Sequence, residues 1–149
     1  MRRLLALLAA SAIALTMMVP VASAQGGPET TGWTVQSVTI DKMGIVDVKG
    51  YFYCQNMPDG MWVHQDGQVV QSIGRKTLVA GGVGADYECA NGPTFFDTRV
   101  QAYNGTFGTG WATVQLGSRV WWCWDPNDQN TCGDLWLGGT EAYVKVVKK

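Results

Sequence analysis

Apolar and polar side chains alternate strictly along several stretches of this chain, and that periodicity demands β-structure. Val46, Val48, Gly50, Phe52 and Cys54 fall on one face of an extended segment, while Asp47, Lys49, Tyr51 and Tyr53 fall on the other. A period of two is the geometry of a strand buried on one side only. Thr98, Val100 and Ala102 alternate with Asp97, Arg99 and Gln101. Ala112, Val114 and Leu116 alternate with Thr113 and Gln115, and Ala142, Val144 and Val146 with Tyr143 and Lys145. After the first 24 residues, no apolar pattern at helical spacing runs for three turns. Nineteen glycines and many β-branched and aromatic residues also disfavour helices.

Turn signals separate these runs. They are Asp59-Gly60, Asp66-Gly67, Gly81-Gly82, Asn91-Gly92-Pro93, Asn104-Gly105 and Gly138-Gly139. Asn104-Gly105 sits between two alternating runs and predicts a hairpin. It also opens the sequon Asn104-Gly105-Thr106, which the turn alone explains. Strands are predicted at 34–40, 45–53, 61–65, 68–73, 87–89, 96–103, 111–116, 119–124 and 142–147. Short strands at regular spacing indicate an antiparallel sandwich or barrel. The first and last strands are expected to be partners or sheet edges, and Lys148-Lys149 would blunt such an edge.

The N-terminus reads as an export signal. Met1-Arg2-Arg3 is basic, residues 4–19 are apolar apart from Ser11 and Thr16, and Ala22-Ser23-Ala24 is the small-x-small pattern of a cleavage site. Cleavage after Ala24 leaves 125 of the 149 residues, enough for one domain with a real core. Residues 25–32 are rich in Gly, Pro and Thr and predict a loose arm, with one domain over 33–149. Losing Arg2 and Arg3 leaves nine basic against twelve acidic side chains, a net charge of about −3. An acidic balance without basic clusters argues against nucleic acid and anionic membranes as partners. No second apolar stretch is long enough to span a bilayer.

Cys54, Cys89, Cys123 and Cys132 all follow the leader, and an even number in an exported chain predicts two disulfides. Of three possible pairings we favour Cys54–Cys89 with Cys123–Cys132, because the second pair brackets one short loop. Loop-closure entropy assigns these about 4 and about 3 kcal/mol. A zinc site is disfavoured, since there is no C-x-x-C and His64 is the only histidine.

Four constellations carry candidate chemistry. His64-x-Asp66 places an imidazole and a carboxylate on one strand face, about 7 Å apart at Cα. No nucleophile elbow or free thiol accompanies them, so a solvated strand end is the better account. Asp86, Glu88 and Asp97 lie close in sequence, as a carboxylate pair for glycoside cleavage would need, yet acids on a surface strand are ordinarily just solvated. Asp125 and Asn127 match the first ligand positions of a calcium loop, but Gln129 and Asn130 break the pattern, and a plain Asx-rich turn explains it better. No metal and no cofactor is expected. The seven tryptophans are the most informative surplus. Trp121, Trp122, Trp124 and Trp136 gather around the second cysteine pair, and alternation puts Trp121 on the face opposite Trp122 and Trp124. Exposed aromatics on a sheet face stack on sugars or anchor a partner, whereas a minicore beneath the disulfide loop would bury them.

The segment 46–89 resembles a reduced immunoglobulin-type core. Cys54 ends an inward-facing strand, Trp62 lies on the next, and Ala85-x-Tyr87-x-Cys89 repeats a tyrosine-corner pattern. Through Gly50-Tyr51-Phe52-Tyr53-Cys54, Tyr87-Glu88-Cys89 and Asn104-Gly105 followed by Gly110-Trp111-Ala112, the chain resembles small secreted immunoglobulin-like β-sandwich proteins of actinobacteria. The loop between Cys123 and Cys132 is similar in size to one in the neocarzinostatin-type apoproteins. The resemblance implies a secreted, all-β, antiparallel immunoglobulin-like sandwich with two disulfides. The expected role is extracellular binding or envelope-associated interaction by a non-catalytic monomer. The alternative is a carbohydrate- or apolar-ligand-binding module using Trp122, Trp124 and Trp136.

Overall fold

The computed structural model describes residues 27–74, 77–123, 125 and 127–149. The export signal and its cleavage site therefore lie outside the described residues, as does Trp124. Seven strands form: β1 (Glu29–Ile40), β2 (Val46–Gln55), β3 (Trp62–Ile73), β4 (Thr77–Glu88), β5 (Gly92–Val100), β6 (Gly110–Cys123) and β7 (Cys132–Lys148). A single 3-10 turn, Gln129–Thr131, precedes β7. The strands make one sheet in the order β4-β3-β6-β7-β1-β2-β5, curled into a half-barrel.

The expectation of an antiparallel sheet needs one correction. β1 and β7 run parallel, with Val38 opposite Val146, Thr39 opposite Val147 and Ile40 opposite Lys148. Parallel neighbours need a long connection, and these two strands stand at opposite ends of the domain. The loose arm also needs correction at its end. Glu29, Thr30 and Thr31 pair with Gln55, Cys54 and Tyr53. Thr30 is buried, with Oγ1 2.8 Å from Ser118 Oγ, and the Trp33 indole donates to the same oxygen at 3.1 Å.

Inward-facing residues from both ends of the sheet meet in one core. Val46, Val48, Phe52, Phe96 and Val100 come from β2 and β5; Val63, Val69, Val79, Val114 and Leu116 come from β3, β4 and β6. Fully burying side chains of this size contributes about 1.5–3 kcal/mol each. Trp33 stacks on Phe52 with centroids 4.3 Å apart. Thr98 donates to Gln65 Oε1 at 3.0 Å, which spends its only proton, so Tyr87 must donate to Thr98 Oγ1 at 2.8 Å. The Cys54–Cys89 disulfide crosses the same gap, and Cys123–Cys132 closes the β6–β7 loop. Both pairings are those favoured from the sequence.

Several expected turns are strand instead. Asp66-Gly67 lies within β3, where Gly67 approaches β6 so closely that a Cβ would stand 2.0 Å from the Gln115 carbonyl oxygen. Gly81-Gly82 lies within β4, most of which the sequence left unassigned. A Cβ on Gly81 would meet Gln101 O at 2.5 Å, and one on Gly82 would strike the Tyr103 hydroxyl. Gly67 and Gly81 admit a neighbouring backbone and Gly82 admits the Tyr103 side chain, rather than reversing the chain. Gly138-Gly139 lies within β7, beside a register shift against β6. Asn104-Gly105 forms no β5–β6 hairpin, because β5 pairs with β2 and β6 with β3 and β7. Its segment crosses between the two ends of the sheet and fastens to the outer edge of β4. Tyr103 N donates to Ala80 O at 2.8 Å, Ala80 N to Asn104 Oδ1 at 2.9 Å, and Asn104 Nδ2 to Leu78 O at 2.9 Å. Gln71, buried on β3, clasps the next part of the crossing through both its amide atoms and Gly108.

The β1–β2 turn is organised by Asp41, whose Oδ1 accepts from Met43 N at 2.8 Å and Ile45 N at 3.0 Å. The Ile45 amide, then that of Met43 and the Arg99 charge, hold the Asp41 carboxyl below its ordinary value of 3.8 despite some desolvation. A depressed carboxyl stabilises the fold above its unfolded pKa and loses that contribution as pH falls through the folded one. Asp41→Asn should therefore lower the urea midpoint at neutral pH, and the gap to wild type should narrow as pH drops below about 3.8. Replacing Cys54 and Cys89 together by alanine should cost about 2–5 kcal/mol in urea titrations.

Candidate functional site

Outward-facing residues of β4, β3, β6 and β7 stand in register as rows across one face. Trp62 neighbours Glu88, and His64 stands between Asp86 and Arg119. Trp136 faces Arg119, and Trp121 faces Asp134. The alternation of β6 puts Trp111, Thr113, Gln115, Gly117, Arg119 and Trp121 outside, with Ala112, Val114, Leu116, Ser118 and Val120 buried.

Carboxylates, the His64 imidazole and the Arg119 guanidinium form a ribbon on this face over four strands. Asp86 Oδ1 lies 2.7 Å from His64 Nδ1, and His64 Nε2 lies 3.3 Å from Asp66 Oδ1. Asp66 Oδ2 lies 2.7 Å from Arg119 Nε, and Arg119 reaches Asp134 Oδ2 at 3.3 Å through its Nη1. Arg119 and the His64 ring thus each lie between two carboxylates. Both ring nitrogens of His64 lie against carboxylate oxygens. The residues lining the cleft around it, Trp62, His64, Asp86, Arg119, Val120, Trp121 and Asp134, include no serine, threonine or cysteine. The arrangement can hold a ligand and orient hydrogen bonds to it.

That cleft holds about 340 Å³ and is walled by two indoles, Trp62 and Trp121, which are 59% and 66% exposed. Beside it, Trp136 is 59% exposed, with its six-membered ring against Gly117 and Gly139. The space beneath its ring exists because Gly117 and Gly139 lack side chains. A Cβ on Gly117 would stand 1.9 Å from Trp136 Cη2, and one on Gly139 3.2 Å from Cζ2. Trp136 also borders a second groove of about 590 Å³ with Asp66, Gln68, Gln115, Thr140 and Glu141.

Of the tryptophans singled out from the sequence, Trp136 lies on this face. Trp122 does not: it is half-buried and packs on the core, so the exposed indole at this strand end is Trp121. The reason is parity, since Trp122 follows the inward phase of Val120. Trp62, which the immunoglobulin resemblance aligns with a core tryptophan, points outward, and Val63 and Gln65 take the inward places beside it. The acids divide. Asp86 and Glu88 share the face, whereas Asp97 sits on β5 and pairs with Lys49 at 2.6 Å, a bond that raises the Lys49 pKa. Asp125 and Asp128 spend their Oδ1 atoms on Asx turns, to Asn127 N and Asn130 N, both at 2.9 Å. Trp62, Arg119 and Trp121 were not singled out as site residues. The signal for them was the outward phase they share with His64, readable only once 62–73 and 110–123 are taken as single strands.

No protein-family model, curated protein or solved structure matches the chain. No helix among the described residues is long and apolar enough to cross a membrane.

Gly117→Ala should displace the Trp136 ring. The expected readout is a shift of tryptophan emission and increased acrylamide quenching, with the far-ultraviolet circular dichroism unchanged.

Proposed function

We propose that this chain is an exported, non-catalytic binding domain of immunoglobulin-like sandwich architecture whose outer β4-β3-β6-β7 face takes carbohydrate. The architecture is supported by the strand order. It divides into four strands, β4-β3-β6-β7, and three, β1-β2-β5, joined by a first strand that borders both groups. Export is supported by the leader sequence and by two disulfides in the domain that follows it.

The observation that carries the binding reading is the cleft between Trp62 and Trp121. Indoles of this size are ordinarily kept from water, and leaving several exposed on one face marks an interaction surface. Sugar rings present apolar C–H faces that stack on indole and hydroxyls that need polar partners. The carboxylates of Asp86 and Asp134 accept hydrogen bonds and the Arg119 guanidinium donates them. Asp66, Asp86, Glu88 and Asp134 outnumber Arg119 and His64, so the face favours neutral over acidic sugars.

Affinity electrophoresis in gels containing soluble neutral polysaccharides tests this. Hydroxyethylcellulose, glucomannan, xylan and dextran are suitable probes. Migration should be retarded in at least one of them. Trp62→Ala combined with Trp121→Ala should weaken that retardation about tenfold or more, the loss expected for two stacking rings. Equal retardation of the double variant and wild type would refute the reading.

A further inference from the structure

The same outer face carries a second aromatic station, far from the cleft. Trp111 on β6 and Tyr143 on β7 stack with centroids 5.0 Å apart and planes 10° from parallel. They remain 53% and 68% exposed. Trp111 shares the outward phase of Trp121, and Tyr143 shares that of Glu141 and Gly139. Ten strand steps along β6 separate Trp111 from Trp121, roughly 33 Å at the rise of a strand.

The surface between the stations is polar and continuous. Gln68 Nε2 donates to Gln115 Oε1 at 2.6 Å, and Gln115 Nε2 donates to Glu141 Oε2 at 2.6 Å. This ladder crosses β3, β6 and β7 and borders the groove beside Trp136. Each amide keeps a second N–H, and Glu141 a second oxygen, for a ligand. Rings stand at both ends, and hydrogen-bonding groups line the path between them. A short oligosaccharide fills only one end.

Resting on the carbohydrate reading above, we infer that the ligand is a long neutral polysaccharide chain, lying along β6 and β7 and occupying the Trp111–Tyr143 station as well as the Trp62–Trp121 cleft. The carboxylates along the path, Asp66, Asp134 and Glu141, outnumber Arg119 and the Lys145 opposite Trp111, which favours neutral over acidic polymers. The sheet is curled and strands twist, so rings at the two ends do not share a plane. That geometry fits a free chain that can turn with the sheet and does not fit the flat face of a crystalline polymer. The stacked pair is held in place before the ligand arrives, which lowers the ordering cost of binding.

Calorimetry with the best-binding polysaccharide of the panel, and with its fragments of two to ten sugars, tests the assignment. Affinity should rise with fragment length beyond what the cleft alone can hold. Trp111→Ala with Tyr143→Ala should weaken the longest fragments and the polymer about fivefold or more, and leave the shortest binding fragments unchanged. Trp111→Phe should restore most of the loss. If the double variant matches wild type at every length while Trp62→Ala with Trp121→Ala still weakens binding, the second station is wrong and the cleft stands. If no polysaccharide binds, both readings fall. Preferential binding to crystalline cellulose over soluble chains would also overturn the extended free-chain assignment.

Discussion

Three residue pairs between β1 and β7 hold the two ends of this sheet together as one hydrogen-bonded structure. Val38 and Val146 meet there with almost no solvent exposure, and the Lys149 amide extends the ladder to Ile40 O at 3.1 Å. β1 gives β2 nearly its whole length and β7 only its last few residues. Elsewhere the two ends meet through side chains, the Cys54–Cys89 disulfide and the crossing segment, whose Tyr103 N donates to Ala80 O. The contacts among Gln65, Thr98 and Tyr87 and the Cys54–Cys89 bridge can fix how far apart the two ends of the curled sheet stand but cannot set strand register. That task falls to the short parallel join. The position of β7 against β6, with Trp136 and Tyr143 on it, is fixed separately by their own long pairing and the Cys123–Cys132 bridge.

The ribbon from Asp86 to Asp134 is better understood as positioning than as stabilisation. Its members are partly or largely exposed, and single ion pairs in such settings contribute about 0–1 kcal/mol each. Because the inner links share groups, Asp66 is held by both His64 and Arg119, while Asp86 and Asp134 end the row with one partner each. The glycines at 117 and 139 do the complementary work by removing bulk where Trp136 must lie down.

The strands were legible in the sequence wherever alternation was unbroken, as at Val46 to Cys54. The disulfides were legible because Cys123 and Cys132 bracket so short a loop. Glycine pairs misled. Gly81-Gly82 looks like punctuation, yet its purpose is to admit Gln101 and Tyr103 against the strand, a demand set by a segment twenty residues away. Asn104-Gly105 has the chemistry of a hairpin turn, but its asparagine spends both amide atoms on β4. The aromatic face was half legible. Composition announced a surplus of tryptophan and alternation split Trp121 from Trp122, but only the partner strands decide which phase is the core. Trp62 was hidden by its likeness to a core tryptophan, a likeness of sequence position that says nothing about side-chain direction.

The lock made by Tyr103 and Asn104 concerns other molecules as well as this one. β4 is a terminal strand of the sheet, and such strands offer unpaired amides and carbonyls to any extended chain that drifts near. Here the groups at Leu78 and Ala80 are already taken by the protein's own crossing segment. At the opposite margin β5 begins with Gly92-Pro93 and carries Asp97 and Arg99 outward. A second copy thus meets margins that are partly occupied or charged, features that work against edge-to-edge strand pairing.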